Sequence, residues 1–245
     1  TDVLMRVLLR EGSGLRIPGR RASHVFVVDV PSYPKLLCIT DAAINIAPDL
    51  NAKAQILENA VGVARAIGIG TPKAAILSAV ETVNPAIAST LDAAALTLMA
   101  RRGQISDVLV DGPLAFDNAI SAAAAEEKGI KSDVAGDADI ILAPDLVSGN
   151  ILVKNLEYLA GATLAGAFVG LAAPVILTSR ADPAPTRIAS IALAVLLHES
   201  EVLKPPLPRA EAATTAHAAP QPEWACVPLS ASQNQPEPEA RHGNH

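Results

Sequence analysis

Short apolar runs and longer amphipathic runs alternate along this chain. The segments 24–30 (HVFVVDV), 35–40 (KLLCIT), 73–79 (KAAILSA), 107–112 (DVLVDG) and 139–144 (DIILAP) are brief and rich in Val, Ile and Leu, and they predict strands. The segment 51–68 places its apolar residues at helical spacing, with Asp49 or Asn51 as the capping residue. A second helix is expected over 87–103, where Arg101 and Arg102 in the last turn and then Gly103 form a stop signal. Further helices are predicted over 114–129, from about Asn150, and over 187–200. The strands are too apolar for a sheet with one wet face. Strand-then-helix alternation of this kind predicts an α/β fold with a mostly parallel sheet and flanking helices.

Two stretches break the pattern. Residues 159–178 (LAGATLAGAFVGLAAPVILT) carry no charge over a length that could span a bilayer, and include a GxxxG from Gly166 to Gly170. Ala, Gly and Pro174 punctuate the run, so it reads better as a helix end followed by two buried strands, 165–170 and 174–178. From Lys204 onward the periodicity stops. Residues 204–245 hold eight of the 19 prolines, with Ala, Gln and Glu between them. Such a segment buries too little apolar area to offset its ordering entropy, so a domain over 1–203 and a disordered tail over 204–245 are expected. Trp224 and Cys226 are the only features there that suggest a small docking spot.

Composition narrows the function. Half of the 245 residues are hydrophobic and only 2% are aromatic, so Ala, Val, Ile and Leu must build the core. A net charge of -6 argues against nucleic acid as the main partner. Cys38 and Cys226 form no disulfide framework or zinc spacing, which fits a cytoplasmic protein. Three of the five histidines (His217, His242, His245) lie in the tail at spacings that match no metal site. The chain opens at Thr1 with neither Met nor a signal-peptide pattern.

Ligands of open parallel sheets bind beyond the carboxyl ends of the strands. The residues that follow the predicted strands are therefore the candidates. Asp111 comes before Gly112 and Pro113; it is either a turn residue or a wall of a ligand cleft. Asp117 reads as a first-turn helix acid. Gly149 permits close backbone approach, and Asn150 can cap a helix whose N-terminus would attract an anion, with Lys154 one turn further on. The alternative there is an ordinary capped helix with a solvated Lys. In ILTSRADP (176–183), Ser179, Arg180 and Asp182 offer a hydroxyl, a bidentate cation and a carboxylate within four residues. Ser179 or Asp182 can equally cap the last helix, with Pro183 in its first turn. Arg16, Arg20 and Arg21 cluster among glycines, either as an anion patch or as a solvated loop. His24, at the start of a strand, reads as a structural hydrogen-bonding residue.

Several of these stretches together resemble the phosphate acetyltransferase / phosphate butyryltransferase family. They are SHVFVVDVP (23–31), ITDAAINIAPDL (39–50), PKAAILSAVETVNP (72–85), RRGQI (101–105), VDGPLAFDNAIS (110–121), KGIKSDVAGDADIILAPDLVSGNILVK (128–154) and PVILTSRADP (174–183). DGPLAFDNA together with LTSRAD is closer to the butyryl-type branch. It is also similar to the C-terminal domain of bifunctional enoyl-CoA hydratase/phosphate acetyltransferases. The resemblance implies two α/β subdomains around a cleft, of the isopropylmalate dehydrogenase-like kind, and a cytoplasmic homodimer. The implied reaction is acyl-CoA plus phosphate giving acyl phosphate plus CoA. CoA is then a substrate, and no cofactor, metal, nucleic acid or membrane is involved.

Residue by residue, Ser179 and Arg180 match the family's Ser-Arg pair, implied to stabilise the transition state and to bind CoA or phosphate. The family's general base lies a few residues beyond that pair, where this chain has Thr186 and Arg187; Asp182, nearer the Ser, is the expected base. Asp111, Gly149, Asn150 and Lys154 are the further expected substrate contacts. The family domain normally begins before the equivalent of Thr1, so an N-terminal truncation is also expected. The alternative function is a catalytically weak CoA-binding fragment or interaction module.

Overall fold

The computed structural model describes residues 15–176, 178, 179 and 181–200, together with Val7 and Arg10. All of them belong to the compact unit Thr1–Pro205. The expected tail, 204–245, and the candidate Arg180 lie outside the described residues.

Six strands form one sheet: β1 (Ser23–Asp29), β2 (Leu37–Thr40), β3 (Lys73–Leu77), β4 (Leu109–Leu114), β5 (Ile140–Leu142) and β6 (Thr163–Val169). Their order is β4-β3-β5-β2-β1-β6. The ladders β3–β4, β3–β5 and β2–β5 are parallel. β1 runs antiparallel to both β2 and β6, with seven register pairs to β6 from Ser23↔Val169 to Asp29↔Thr163. The sheet is therefore mixed and mostly parallel, as the strand pattern predicts, with an antiparallel pair added at one side.

The helices follow from their caps and apolar faces. In α1 (Leu50–Ala66), Asp49 accepts from the Ala52 N–H at 2.7 Å. Ile56, Leu57, Ala60, Val63 and Ala64 recur at helical spacing and are fully buried against the sheet. α2 (Ala88–Arg101) ends where the Arg pair and Gly103 predict, with Gly103 at φ 72°. These two helices and the Leu193–Leu197 face of the last helix cover one side of the sheet. α3 (Phe116–Ile120), α4 (Ala122–Glu127) and α5 (Leu146–Leu159) lie along the chain regions that close the other side. Phe116, Ala119, Val153 and Leu156 supply the apolar contacts there.

Four expectations change. The predicted helix over 114–129 is two short helices, because β4 continues to Leu114 and Ser121 then ends α3 and caps α4, its Oγ accepting from Ala124 N–H at 3.3 Å. α5 begins at Leu146, not after Asn150, because Asp145 takes the cap by accepting from Ser148 N–H at 2.9 Å. Among the described residues of the predicted 174–178 strand, only Val175 pairs, bridging back to Phe168. The last helix, α6 (Ala184–Glu199), is capped by neither Ser179 nor Asp182; Pro183 occupies the cap position.

The uncharged 159–178 run resolves into the end of α5 and strand β6. Among the described residues, no helix is long and apolar enough to cross a membrane. β6 is an edge strand, and α6 covers its free side. Gly166 N–H donates to Ser190 Oγ at 3.0 Å, and Ser190 Oγ–H donates to the Thr186 carbonyl at 2.8 Å.

Candidate active site

A cavity of about 550 Å³ opens beside β1 and β6. Strand alternation builds its floor: His24 and Phe26 from β1, and Leu164, Gly166 and Phe168 from β6. Ala42 and Ala43, just beyond the carboxyl end of β2, form one side, and Thr186 and Ser190 of α6 form another. Asn150 and Lys154, one turn apart on α5, face it, and the segment with Thr178, Ser179, Ala181 and Asp182 makes the rim. An apolar floor under a polar, charged rim suits a ligand with an apolar part and an anionic part.

Asp41 holds the near side in place. It is 3% exposed and its carboxylate accepts from His24 N–H (3.2 Å), Ala43 N–H (2.8 Å), Ile44 N–H (3.0 Å) and the Asn45 amide (2.6 Å). The loop after β2 is thereby tied to the start of β1. Asn150 donates to the Ala42 carbonyl at 3.2 Å, which ties α5 to the same loop.

The rim is a compact turn. Asp182 accepts from Ser179 N–H at 2.7 Å, Asp182 N–H donates to the Ser179 carbonyl at 3.1 Å, and Ser179 Oγ accepts from Ala181 N–H at 3.3 Å. Ser179 is exposed, whereas the Asp182 side chain is only 10% exposed. Lys154 lies 4.0 Å from Asp182 and pairs with Glu157 at 2.7 Å. Burial alone would lower the Lys154 pKa; the hydrogen bond to Glu157 and the charges of Glu157 and Asp182 outweigh it and raise the pKa. A fixed cation therefore stands over the rim.

Of the expected site residues, the structure brings together Ser179, Asp182, Asn150 and Lys154. Gly149 supports the site without lining the cavity. A Cβ there would stand 2.7 Å from the Asp41 carbonyl, so glycine is what lets α5 pack against the loop after β2. Asn150 sits inside α5 and is not its cap, so the helix N-terminus expected there as an anion site is at Leu146 instead. Asp111 lies elsewhere. It pairs with Ala75 within β4, at the far edge of the sheet from β6, and lines a separate concavity with Arg101 and Lys131. Asp117 pairs with Lys128 at 3.1 Å, which holds its carboxyl below the ordinary range. Arg16, Arg20 and Arg21 line another concavity with Asn45, which accepts from Arg21 at 3.1 Å.

Sequence reading did not single out Asp41 and took His24 as a structural hydrogen-bonding residue. His24 is 2% exposed and lines the cavity, and its Nδ1 has no hydrogen-bond partner among the described residues. Burial pushes its pKa down to about 4 against the opposing pull of Asp41, so the ring is neutral at pH 7. The signal in the sequence was the period of two that sets His24 and Phe26 on one face.

Fold and cavity define an α/β protein with a cavity where the parallel sheet meets its antiparallel strands. Residues 14–195 match the family described as phosphate acetyl/butaryl transferase. The chain is 56% identical over 196 residues to a phosphate acetyltransferase of Rhizobium meliloti, covering 80% of this chain and 62% of that protein. It is 52% identical over 199 residues to a probable phosphate butyryltransferase of Bacillus subtilis, covering 81% and 66%. The crystal structure of a branched-chain phosphotransacylase from Enterococcus faecalis V583 superposes with a TM-score of 0.75 at 35% identity, over 81% of this chain and 71% of that one. The chain belongs to the phosphate acetyl/butyryl transferase family. It spans just under two thirds of the length of the two sequence relatives.

Proposed function

We propose that this chain is a phosphate acyltransferase that interconverts short-chain acyl-CoA and phosphate with acyl phosphate and CoA. The observation that carries this is the convergence of Ser179, Asp182, Asn150 and Lys154 on one apolar-floored cavity. The relatives named phosphate acetyltransferase and phosphate butyryltransferase support the same chemistry.

In the direction of acyl phosphate formation, a phosphate oxygen attacks the thioester carbonyl and its oxygen becomes an oxyanion. The C–S bond then breaks, and the departing CoA thiolate takes up a proton. In reverse, the thiol loses its proton and the sulfur attacks the acyl phosphate carbonyl. Lys154 supplies the positive charge that phosphate requires. Ser179 Oγ already accepts from Ala181 N–H, so its own O–H is the group to donate to developing negative charge. The Asp182 carboxylate, beside both, is the group to hold the thiol proton. Arg180, by its match to the family's Ser-Arg pair, binds CoA or phosphate. CoA acts as a substrate, and no bound cofactor is required.

The same reading includes a cytoplasmic homodimer. Ile188, Ile191 and Val195 of α6 are 66%, 57% and 57% exposed and fall on one helix face. Such an apolar stripe is suited to a second copy of the chain. Gathering of a hydroxyl, a carboxylate and a cation at one rim favours catalysis over a passive CoA-binding module. Thiol release from butyryl-CoA tests it. The rate should depend on phosphate, and Ser179→Ala should lower kcat roughly a hundredfold while leaving the melting curve in place. An unchanged rate in Ser179→Ala would remove Ser179 from the chemistry.

A further inference from the structure

His24 is a buried ring in the cavity that the acyl-transfer chemistry above leaves unused. Its backbone is fixed from both sides, with N–H donating to Asp41 and the carbonyl accepting from Thr40 Oγ1 at 2.8 Å. Its ring is fixed by Phe26 and Phe168, whose centroids lie 4.3 and 4.7 Å from its own. Across the ladder, Gly166 makes room for it: a Cβ at that position would stand 2.9 Å from Cε1 and 3.0 Å from Nε2. The packing is apolar, yet among the described residues the buried Nδ1 has no partner. A buried polar atom left unpaired costs free energy, and in a native protein it calls for an explanation, of which a catalytic or binding role is one. A neutral imidazole carries one N–H to give and one lone pair to fill.

We propose that His24 binds the acyl carbonyl of the substrate, its ring N–H donating to the carbonyl oxygen while the short acyl chain lies on Phe26, Leu164 and Phe168. This rests on the phosphate acyltransferase reading. No proton is transferred. When phosphate oxygen or CoA sulfur adds to the carbonyl carbon, the C=O π electrons move onto the oxygen, and the hydrogen bond from His24 strengthens with that charge. On collapse the C=O bond re-forms and the leaving group departs with its electron pair. The floor also limits the acyl group to a short one, because Phe26 and Phe168 flank the ring that holds the carbonyl.

The test uses the full chain. With butyryl-CoA and phosphate, His24→Phe should lower kcat roughly tenfold to a hundredfold with the KM for phosphate changed less than about twofold, and His24→Asn, which keeps an N–H donor, should recover part of the loss. A second measurement covers the case in which these variants fold poorly. In a chain with His198, His217, His242 and His245 replaced by Gln, ¹⁵N-labelled His24 should shift its ring nitrogen resonance on saturation with butyryl-CoA, and not with CoA itself. Unchanged kcat in His24→Phe, or a ring resonance that saturating butyryl-CoA leaves in place, overturns the role of His24 while wild-type activity still supports acyl transfer. Loss of phosphate-dependent thiol release in the wild type overturns the acyl-transfer reading itself and the role of His24 with it.

Discussion

At the scale of single residues, the rim of the cavity is organised by charge. Lys154 is held between Glu157 and Asp182, so its ammonium is in place before any anion arrives. Replacing it removes a charge-assisted contact of about 1.5–3 kcal/mol. Lys154→Met is therefore expected to raise the KM for phosphate roughly tenfold to a hundredfold, read in the thiol-release assay, with a smaller effect on the KM for butyryl-CoA. Ser179, Asp182, Asn150 and Lys154 were legible because the sequence pattern puts them just after predicted strands. Among the described residues of the predicted 174–178 strand, however, only Val175 forms a bridge, and Asn150 and Lys154 lie inside α5. Asp111 was legible by the same logic and nevertheless lies at the opposite edge of the sheet. Strand ends can be read from hydrophobic runs, whereas the order of strands in a sheet depends on long-range pairing that local pattern does not encode. His24 was passed over because its burial and its unmet Nδ1 exist only once β6 is paired beside β1.

At the scale of elements, the position of α5 decides the geometry of the site. Gly149 is the hinge of that placement, since even a methyl group there would press on the Asp41 carbonyl at 2.7 Å. Gly149→Ala is expected to destabilise the fold by about 1–3 kcal/mol, seen as a lower urea midpoint, and to lower kcat by moving Asn150 and Lys154. The helix was predicted to start after Asn150 because Asn is a good capping residue; Asp145, an equally good cap, starts it five residues earlier. In the same way Ser121 divides a segment whose Ala-rich pattern predicts one helix. Existence and type of the main strands and helices came from periodicity. The starts of α1, α4 and α5 were settled by the side-chain caps Asp49, Ser121 and Asp145, and the antiparallel setting of β1 by β2 nearby and by β6 more than a hundred residues away.

The other end of the sheet offers a pH test of packing between elements. Lys35 and Lys73 pair with Asp137 at 2.6 and 2.7 Å and hold its carboxyl below the usual range, against a smaller effect of burial. A depressed carboxyl pKa stabilises the fold above the unfolded value, about 4, and that contribution disappears as pH falls through the folded value. Asp137 is 55% exposed, so screening limits the effect to about 1 kcal/mol or less. Asp137→Asn should lower Tm by roughly 2–4 °C at pH 7 and leave it unchanged near pH 2.

At the scale of the whole molecule, one mixed sheet covered by helices on both faces carries a cleft at its antiparallel side and an unpaired apolar stripe on α6. If that stripe receives a second copy, Ile191→Lys should shift the chain from dimer to monomer in sedimentation velocity while leaving its circular dichroism intact. A dimer that survives the substitution would place the interface elsewhere. The central claim, that the cleft moves an acyl group between CoA and phosphate, is tested most directly by following the phosphorus. Incubation of the chain with butyryl-CoA and inorganic phosphate should yield an acyl phosphate resonance in the ³¹P spectrum, growing in step with free thiol. Free thiol without acyl phosphate, or no change in either, would contradict it.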